Sequence, residues 1–210
     1  MKIDFADAVA RLIKVGQRFD ARGWVLGTSG NFSLVIDDEP LRLAITRSGT
    51  QKGELTPNDI MELDGDGISV GTTAGIPSAE TRLHLEIIAA RPVRSVLHTH
   101  STWSTLVSDR FAPRGGVAIQ GYEMLKGLTG VSTHEHREWI PIVENDQDMP
   151  RLAGKIGETL GAHPECHAFL LRRHGLYTWG ATLPDAVRHV EIVEFLLESI
   201  GRKEAAAWRS

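Results

Sequence analysis

Nine of the 210 residues are histidine, and two of them fall in a pattern that can do chemistry. His98 and His100 stand two apart in a short β-branched run, residues 95–100, that predicts a strand. Alternate residues of a strand project from the same face, so both rings would point into one space. Such a pair can supply two of the three protein ligands of a catalytic zinc, or it can place one ring in a core or a structural hydrogen bond. His174 adds a third ring: it lies between two predicted strands and precedes Gly175, where a turn can aim the side chain into a cleft. Three neutral imidazoles would leave a zinc ion doubly positive with its fourth position open, a charge suited to stabilising an enolate. Cys166 is the only cysteine, which excludes an intrachain disulfide and a cysteine-based zinc cluster and leaves His, Asp and Glu as ligands. Of the other histidines, His84, on a helix, reads as structural, His163 and His167 as surface or strand-end residues, and His189 as lying on a solvated helix face.

The elements that must position these rings follow from periodicity. Ile3, Phe5, Val9, Leu12, Ile13 and Phe19 recur at helical spacing and predict an amphipathic helix over residues 4–21. Gly27-Thr-Ser-Gly-Asn31 reads as a polar turn entering a strand at 32–36, and a second strand at 41–46 runs into the turn Ser48-Gly49-Thr50. Residues 60–63 and 68–70 flank Asp64-Gly65-Asp66-Gly67, a hairpin signal. Ser78 is the expected N-cap of a helix through Leu83, Leu85, Ile87 and Ile88 that Pro92 ends. A helix is expected over 101–108, and residues 110–138 are expected to be irregular apart from a short helix near 122–128. A strand at 140–143, a helix at 148–161 and strands at 168–172 and 176–179 come next. The last helix starts at Thr182-Leu-Pro-Asp185 and carries the apolar stripe Val187, Val190, Val193, Leu197 and Ile200. Helices and strands interleave without a regular βαβ period, and no linker or internal repeat is present. One layered α/β domain over residues 1–210 is expected, with a mixed, mostly antiparallel sheet.

A formal charge of −4 gives no global field for nucleic acid or an anionic membrane, so any bound anion must be held by a local site. No run of 18 uncharged apolar residues occurs, and Lys2, Asp4, Asp7, Arg11 and Lys14 interrupt the apolar residues at the start, so a cytoplasmic protein is expected.

Five motifs in order complete the pattern: Gly27-Thr-Ser-Gly-Asn31, Ser48-Gly49, Pro77-Ser-Ala-Glu80, His98-Thr-His-Ser101 and Arg173-His-Gly175. In this order, over about residues 4–200, they resemble the class II aldolase and adducin family. The resemblance implies a three-layer α/β/α fold around a largely antiparallel sheet. It also implies one zinc per subunit held by His98, His100 and His174, and tetramers with active sites between subunits. A small phosphorylated sugar is the implied substrate.

Further runs, Ser48-Gly-Thr-Gln-Lys52, Glu123-Met-Leu-Lys-Gly127, Thr133-His-Glu-His136 and Glu144-Asn-Asp-Gln-Asp148, with the stretch from Arg172 to Gly180, are similar to a dehydratase branch of the family. That likeness implies loss of water from a 2-ketose 1-phosphate. Glu123 is the expected acid/base, in a stretch that could fold over substrate and be desolvated, which would raise its pKa toward neutrality. Glu80 matches the acid used by the aldolases, whereas animal members of the dehydratase branch carry Cys there. Near a helix N-terminus it would stay charged close to the metal. Gly30, Asn31, Ser48, Gly49 and Ser78 offer backbone amides and hydroxyls for the phosphate, and Lys52 a charge-assisted contact. Two other outcomes fit the same family: an aldolase or 4-epimerase acting on another ketose phosphate, or an adducin-like binding module without chemistry.

Overall fold

The computed structural model describes residues 2–207 apart from residues 72 and 74. Its first helix, α1 (Phe5–Asp20), is capped by Asp4, whose carboxylate accepts from the amides of Ala6 and Asp7. Its apolar face buries Ala8, Leu12 and Phe19 completely. The chain then builds β1 (Asn31–Asp38), β2 (Leu41–Thr46) and β3 (Ile60–Asp64), followed by α2 (Thr81–Ala90) and β4 (Ser95–Thr99). Next come α3 (Thr102–Phe111), β5 (Gly116–Ile119), β6 (Glu138–Val143), α4 (Met149–Ala162), β7 (Ala168–Leu171), β8 (Gly175–Gly180) and the 25-residue α5 (Leu183–Ala207).

The eight strands form one sheet in the order β3-β2-β1-β4-β8-β7-β6-β5. The β6–β7 pair is parallel and needs a crossover, which α4 provides; the other pairings are antiparallel. Alternation along the strands sends Phe32, Leu34 and Leu97 to a face covered by α1 and α5, and α3 packs with α5 further along. Val96, Phe169 and Tyr177 go to the opposite face, against Leu83 and Ile87 of α2 and Leu152, Ile156 and Leu160 of α4. The expected three-layer α/β/α architecture is what the chain adopts. On α5 the predicted stripe is the buried one: Val187, Val190, Val193 and Leu197 all lie in the core.

Local departures have local causes. The stretch 110–138 contains β5, a four-residue edge strand between Gly115 and the following loop, too short to give a periodic signal. After Asp64 the expected hairpin forms but is short: backbone bonds from Asp64 to the Ile68 carbonyl and from Val70 to the Glu62 carbonyl flank a single bridge, Leu63 to Ser69, and the Asp64 carboxylate holds the turn by accepting the amides of Asp66 and Ile68. Helix α2 begins at Thr81 rather than just after Ser78. The Thr81 amide bonds the Ser78 carbonyl and the Glu80 amide bonds the Ser78 hydroxyl, so Ser78 holds a turn that precedes the helix.

Candidate active site

Across the middle of the sheet, Asn31 of β1 stands opposite His98 of β4, His98 opposite Tyr177 of β8, and Tyr177 opposite Phe169 of β7. Their side chains share the face covered by α2 and α4. The His98 ring stacks on Tyr177 at 3.9 Å between centroids, and Tyr177 stacks on Phe169 at 4.9 Å. His98 is fully buried, and its Nδ1 lies 2.9 Å from the Leu176 carbonyl. A carbonyl only accepts, so Nδ1 carries the proton and Nε2 presents a lone pair. A histidine oriented this way by a backbone carbonyl is prepared to bind a metal through the other nitrogen.

His100 follows β4, and its Nε2 lies 2.7 Å from the Nε2 of His98. His174 comes from the turn between β7 and β8, where Arg173 takes a left-handed φ of 55°, uncommon for a residue with a side chain. The turn is held from α3: the Ser108 hydroxyl accepts the Arg173 amide, and Asp109 pairs with both Arg172 and Arg173. Gly175 is required beside it, because a Cβ there would sit 2.1 Å from the Thr99 carbonyl and 2.9 Å from the His98 ring. The His174 ring stands nearly perpendicular to the other two, its centroid 5.0 Å from that of His98 and 4.4 Å from that of His100, while the His98 and His100 rings cross at 61°. Glu80 completes the group from the start of α2, with one oxygen 3.3 Å from His174 Nε2 and the other 3.6 Å from His98 Nε2.

One donor atom from each of Glu80, His98, His100 and His174 lies within 4.8 Å of the others. Burial lowers the pKa of all three rings, that of His100 to about 3, so they are neutral as ligands must be. The buried Nδ1 of His174 has no hydrogen-bond partner among the described residues, and two lone-pair nitrogens 2.7 Å apart call for a cation or proton between them. Three nitrogens and one carboxylate oxygen are a donor set that a divalent metal fits.

Against this cluster opens a cleft of about 230 Å³. All six residues expected to hold phosphate line it, namely Gly30, Asn31, Ser48, Gly49, Lys52 and Ser78, together with Glu80 and His100. Lys52 is 1% exposed, and its ammonium donates to the carbonyls of Thr28 (3.1 Å) and Thr50 (2.8 Å). Burial lowers its pKa to about 8, against the opposing charges of Asp59 and Glu80. Thr28, Ser29 and Arg47 also line the cleft and were not foreseen, although Arg47 directly precedes the Ser48-Gly49 turn.

Glu123 is elsewhere. It opens a short 3₁₀ turn (Glu123–Gly127), its side chain is 75% exposed, and its carboxylate takes a 2.7 Å bond from Lys126. That bond lowers its pKa, so the expected desolvated carboxylate with a raised pKa is not what this chain forms by itself. His189, expected on a solvated face, is buried on α5, where Nδ1 donates to the Trp179 carbonyl and Nε2 accepts from the Thr129 amide. His167, expected at the surface or a strand end, directly precedes β7 and is tied into the structure there. Although burial disfavours both charges, its hydrogen bonds and ion pair with the buried Glu138 raise its own pKa and lower that of Glu138. His84, on α2, is fully buried.

Residues 10–200 match the family described as class II aldolase and adducin N-terminal domain, and the chain belongs to that family. Among its relatives, a methylthioribulose-1-phosphate dehydratase of Methylococcus capsulatus is 47% identical over 196 residues, 93% of each chain. Another of the same name, from Sorangium cellulosum, is 40% identical over 195 residues, covering 92% of this chain and 91% of the relative. Among solved structures, L-fuculose-1-phosphate aldolase from Thermus thermophilus superposes with a TM-score of 0.76 at 23% identity, over 97% of this chain and 98% of that one, which shows the shared fold.

Proposed function

We propose that this chain is a zinc-dependent hydro-lyase that converts 5-methylthioribulose 1-phosphate to 5-methylthio-2,3-diketopentyl 1-phosphate, a step of methionine salvage. The observation that carries this is the meeting of a four-donor His/Glu cluster with a polar cleft, in a chain 47% identical to a dehydratase of that name. We read the chain as one catalytic domain of a cytoplasmic homotetramer.

Phosphate binds in the cleft through the Gly30, Ser48 and Gly49 turns, the polar groups of Asn31 and Ser78, and the Lys52 ammonium. His98, His100 and His174 would hold zinc, which when bound would supply Lewis-acid stabilisation of the enolate that loss of the C3 proton creates. Anchoring the phosphate beside His100 leaves C1 at the cleft and brings C2–C4 toward Glu80. One carboxylate takes the C3 proton; the C4 hydroxyl leaves as water with a proton delivered to it, and the enol so formed tautomerises to the diketone. Glu80 lies in the cluster and stays beside the reacting carbons. Glu123, solvent-exposed in its own chain, serves as acid/base by reaching the cleft of a neighbouring subunit, where burial against that subunit and substrate would displace Lys126 and raise its pKa.

Incubating the zinc-loaded enzyme with 5-methylthioribulose 1-phosphate tests the reading. Formation of the diketone is expected. Release of an aldehyde instead would overturn the dehydratase assignment in favour of an aldolase built on the same donors, and retention of bound metal with no turnover would favour a binding module.

A further inference from the structure

Asn31 and Ser33 lie two apart on β1, and Glu80 and His84 lie four apart at the start of α2. Two strand residues advance about 6.6 Å and four helical residues about 6 Å, so the two pairs can run side by side across the sheet–helix interface. They do. The Oγ of Ser33 is 2.7 Å from His84 Nδ1, and His84 Nε2 contacts Asn31 Oδ1. Asn31 Nδ2 in turn donates to Glu80 Oε2 at 2.6 Å and to the Ser78 hydroxyl at 3.3 Å.

The proton positions in this chain are forced. The Glu80 carboxylate only accepts, so the amide nitrogen of Asn31 must face it and the amide oxygen must face His84. That oxygen also only accepts, so His84 is protonated at Nε2, and Nδ1 takes the Ser33 hydroxyl proton. The His84 ring is completely buried, packed edge-on against Tyr177 at 5.9 Å, and burial keeps it neutral. Without the His84 donor, Asn31 could rotate its amide and present oxygen to Glu80, releasing the carboxylate and the Ser78 hydroxyl together.

We propose that His84 is a positioning residue: through the Asn31 amide it fixes the Glu80 carboxylate against the metal-binding histidines and the Ser78 hydroxyl at the anion cleft. The inference rests on Glu80 and Asn31 belonging to the active site as read above.

The test is a set of zinc-loaded full-length variants: His84→Phe, which fills the space without hydrogen bonds, His84→Gln, which can restore both bonds, Asn31→Ala, and the double variant His84→Phe/Asn31→Ala. His84→Phe is expected to lower kcat by about 10–100-fold with zinc per chain unchanged, and His84→Gln to recover most of that loss. In the double variant kcat should be no lower than in Asn31→Ala, because His84 acts only through Asn31. Ser33→Ala removes one hydroxyl and makes the same test should His84→Phe fail to fold: it should slow turnover alone and have no effect in the Asn31→Ala background. Losses that add in either background, or a Gln variant no better than Phe, would overturn the proposal. Calorimetric binding of inorganic phosphate, which needs no turnover, is expected to weaken in Asn31→Ala and in His84→Phe without further loss on combining them. This arm separates the proposal from the dehydratase reading: a wild type that makes no diketone refutes the latter, and additive losses of phosphate affinity refute the former.

Discussion

Lys52→Gln is the substitution that isolates the charge of the anion cleft. The ammonium has three donors, of which two go to the carbonyls of Thr28 and Thr50, leaving the third for a bound anion. Gln keeps a polar head of donors for those carbonyls and removes the charge. A hydrogen bond to a charged group contributes about 1.5–3 kcal/mol, so KM for the phosphorylated sugar should rise by roughly 10–150-fold. Turnover at saturating substrate should stay within a few-fold, because the lost contact is made equally in ground and transition states. The wild type carries a second signature. Its Lys52 has a pKa of about 8, and above that value the ammonium loses both its charge and its third donor. A phosphomonoester has its second pKa near 6, so the substrate is already the dianion as Lys52 titrates around pH 8. In steady-state assays of diketone formation between pH 6.5 and 9.5, kcat/KM of the wild type should therefore fall above pH ~8, the pKa of the free enzyme, and that of Lys52→Gln should not. A Gln variant whose KM matches the wild type within twofold, or whose kcat/KM falls over the same range, would refute the argument.

Glu123→Gln and His174→Ala should each lower turnover by roughly 10²–10⁴-fold, the second with loss of zinc; co-expressed, they should regain activity if Glu123 acts on a neighbour's cleft, and a dead mixture would place both groups in one subunit's site. Glu194 of α5 is buried with one oxygen on the Thr99 hydroxyl, and burial raises its pKa from 4.5 to about 7. A carboxyl whose folded pKa is raised costs stability as pH climbs from the unfolded value through the folded one, here up to ~3 kcal/mol by pH 8. The melting temperature of Glu194→Gln relative to the wild type should thus improve between pH 5 and pH 8, and a difference independent of pH would contradict the burial argument.

What was legible in the sequence is what depends on neighbours in the chain. The strand period puts His98 and His100 on one face whatever lies around them, and Gly175 announces the turn that carries His174. Polar turns at Gly30-Asn31 and Ser48-Gly49 likewise advertise themselves by composition. The rest depends on pairings between distant segments. Strand alternation alone does not tell that Asn31 will stand opposite His98, or that His84 will meet Ser33 and Asn31. Helical periodicity on α5 identifies the apolar stripe but not that His189 and Glu194 are buried beside it, each held by a group from another element. Glu123 is the opposite case: its motif is plain in sequence, yet its exposed carboxylate gives it no role within one chain. The neighbouring cleft proposed for it above would be a contact between copies, which neither period nor propensity encodes.

The adjacency of metal donors and anion cleft arises from backbone approach more than from side-chain reach. On one side of β4, Gly30 has a φ of 74°, and a Cβ there would lie 2.6 Å from the His98 carbonyl. On the other side, Gly175 brings the β7–β8 turn against the Thr99 carbonyl just as tightly. Two glycines thus let two separate turns close onto the strand that carries His98 and His100. One turn delivers the polar groups that suit a phosphate, and the other delivers His174. Because neither approach leaves room for a Cβ, the distance between donors and cleft is set by main-chain packing, and side chains elsewhere on the turns can vary without changing it. A fold arranged in this way can keep one metal-and-phosphate frame while different carboxylates enter it. Glu80 enters at the start of α2, and Glu123 stands exposed on a turn that buried Leu125 anchors; in the reading proposed above, the choice between these two carboxylates is where a dehydratase and an aldolase built on this frame can differ.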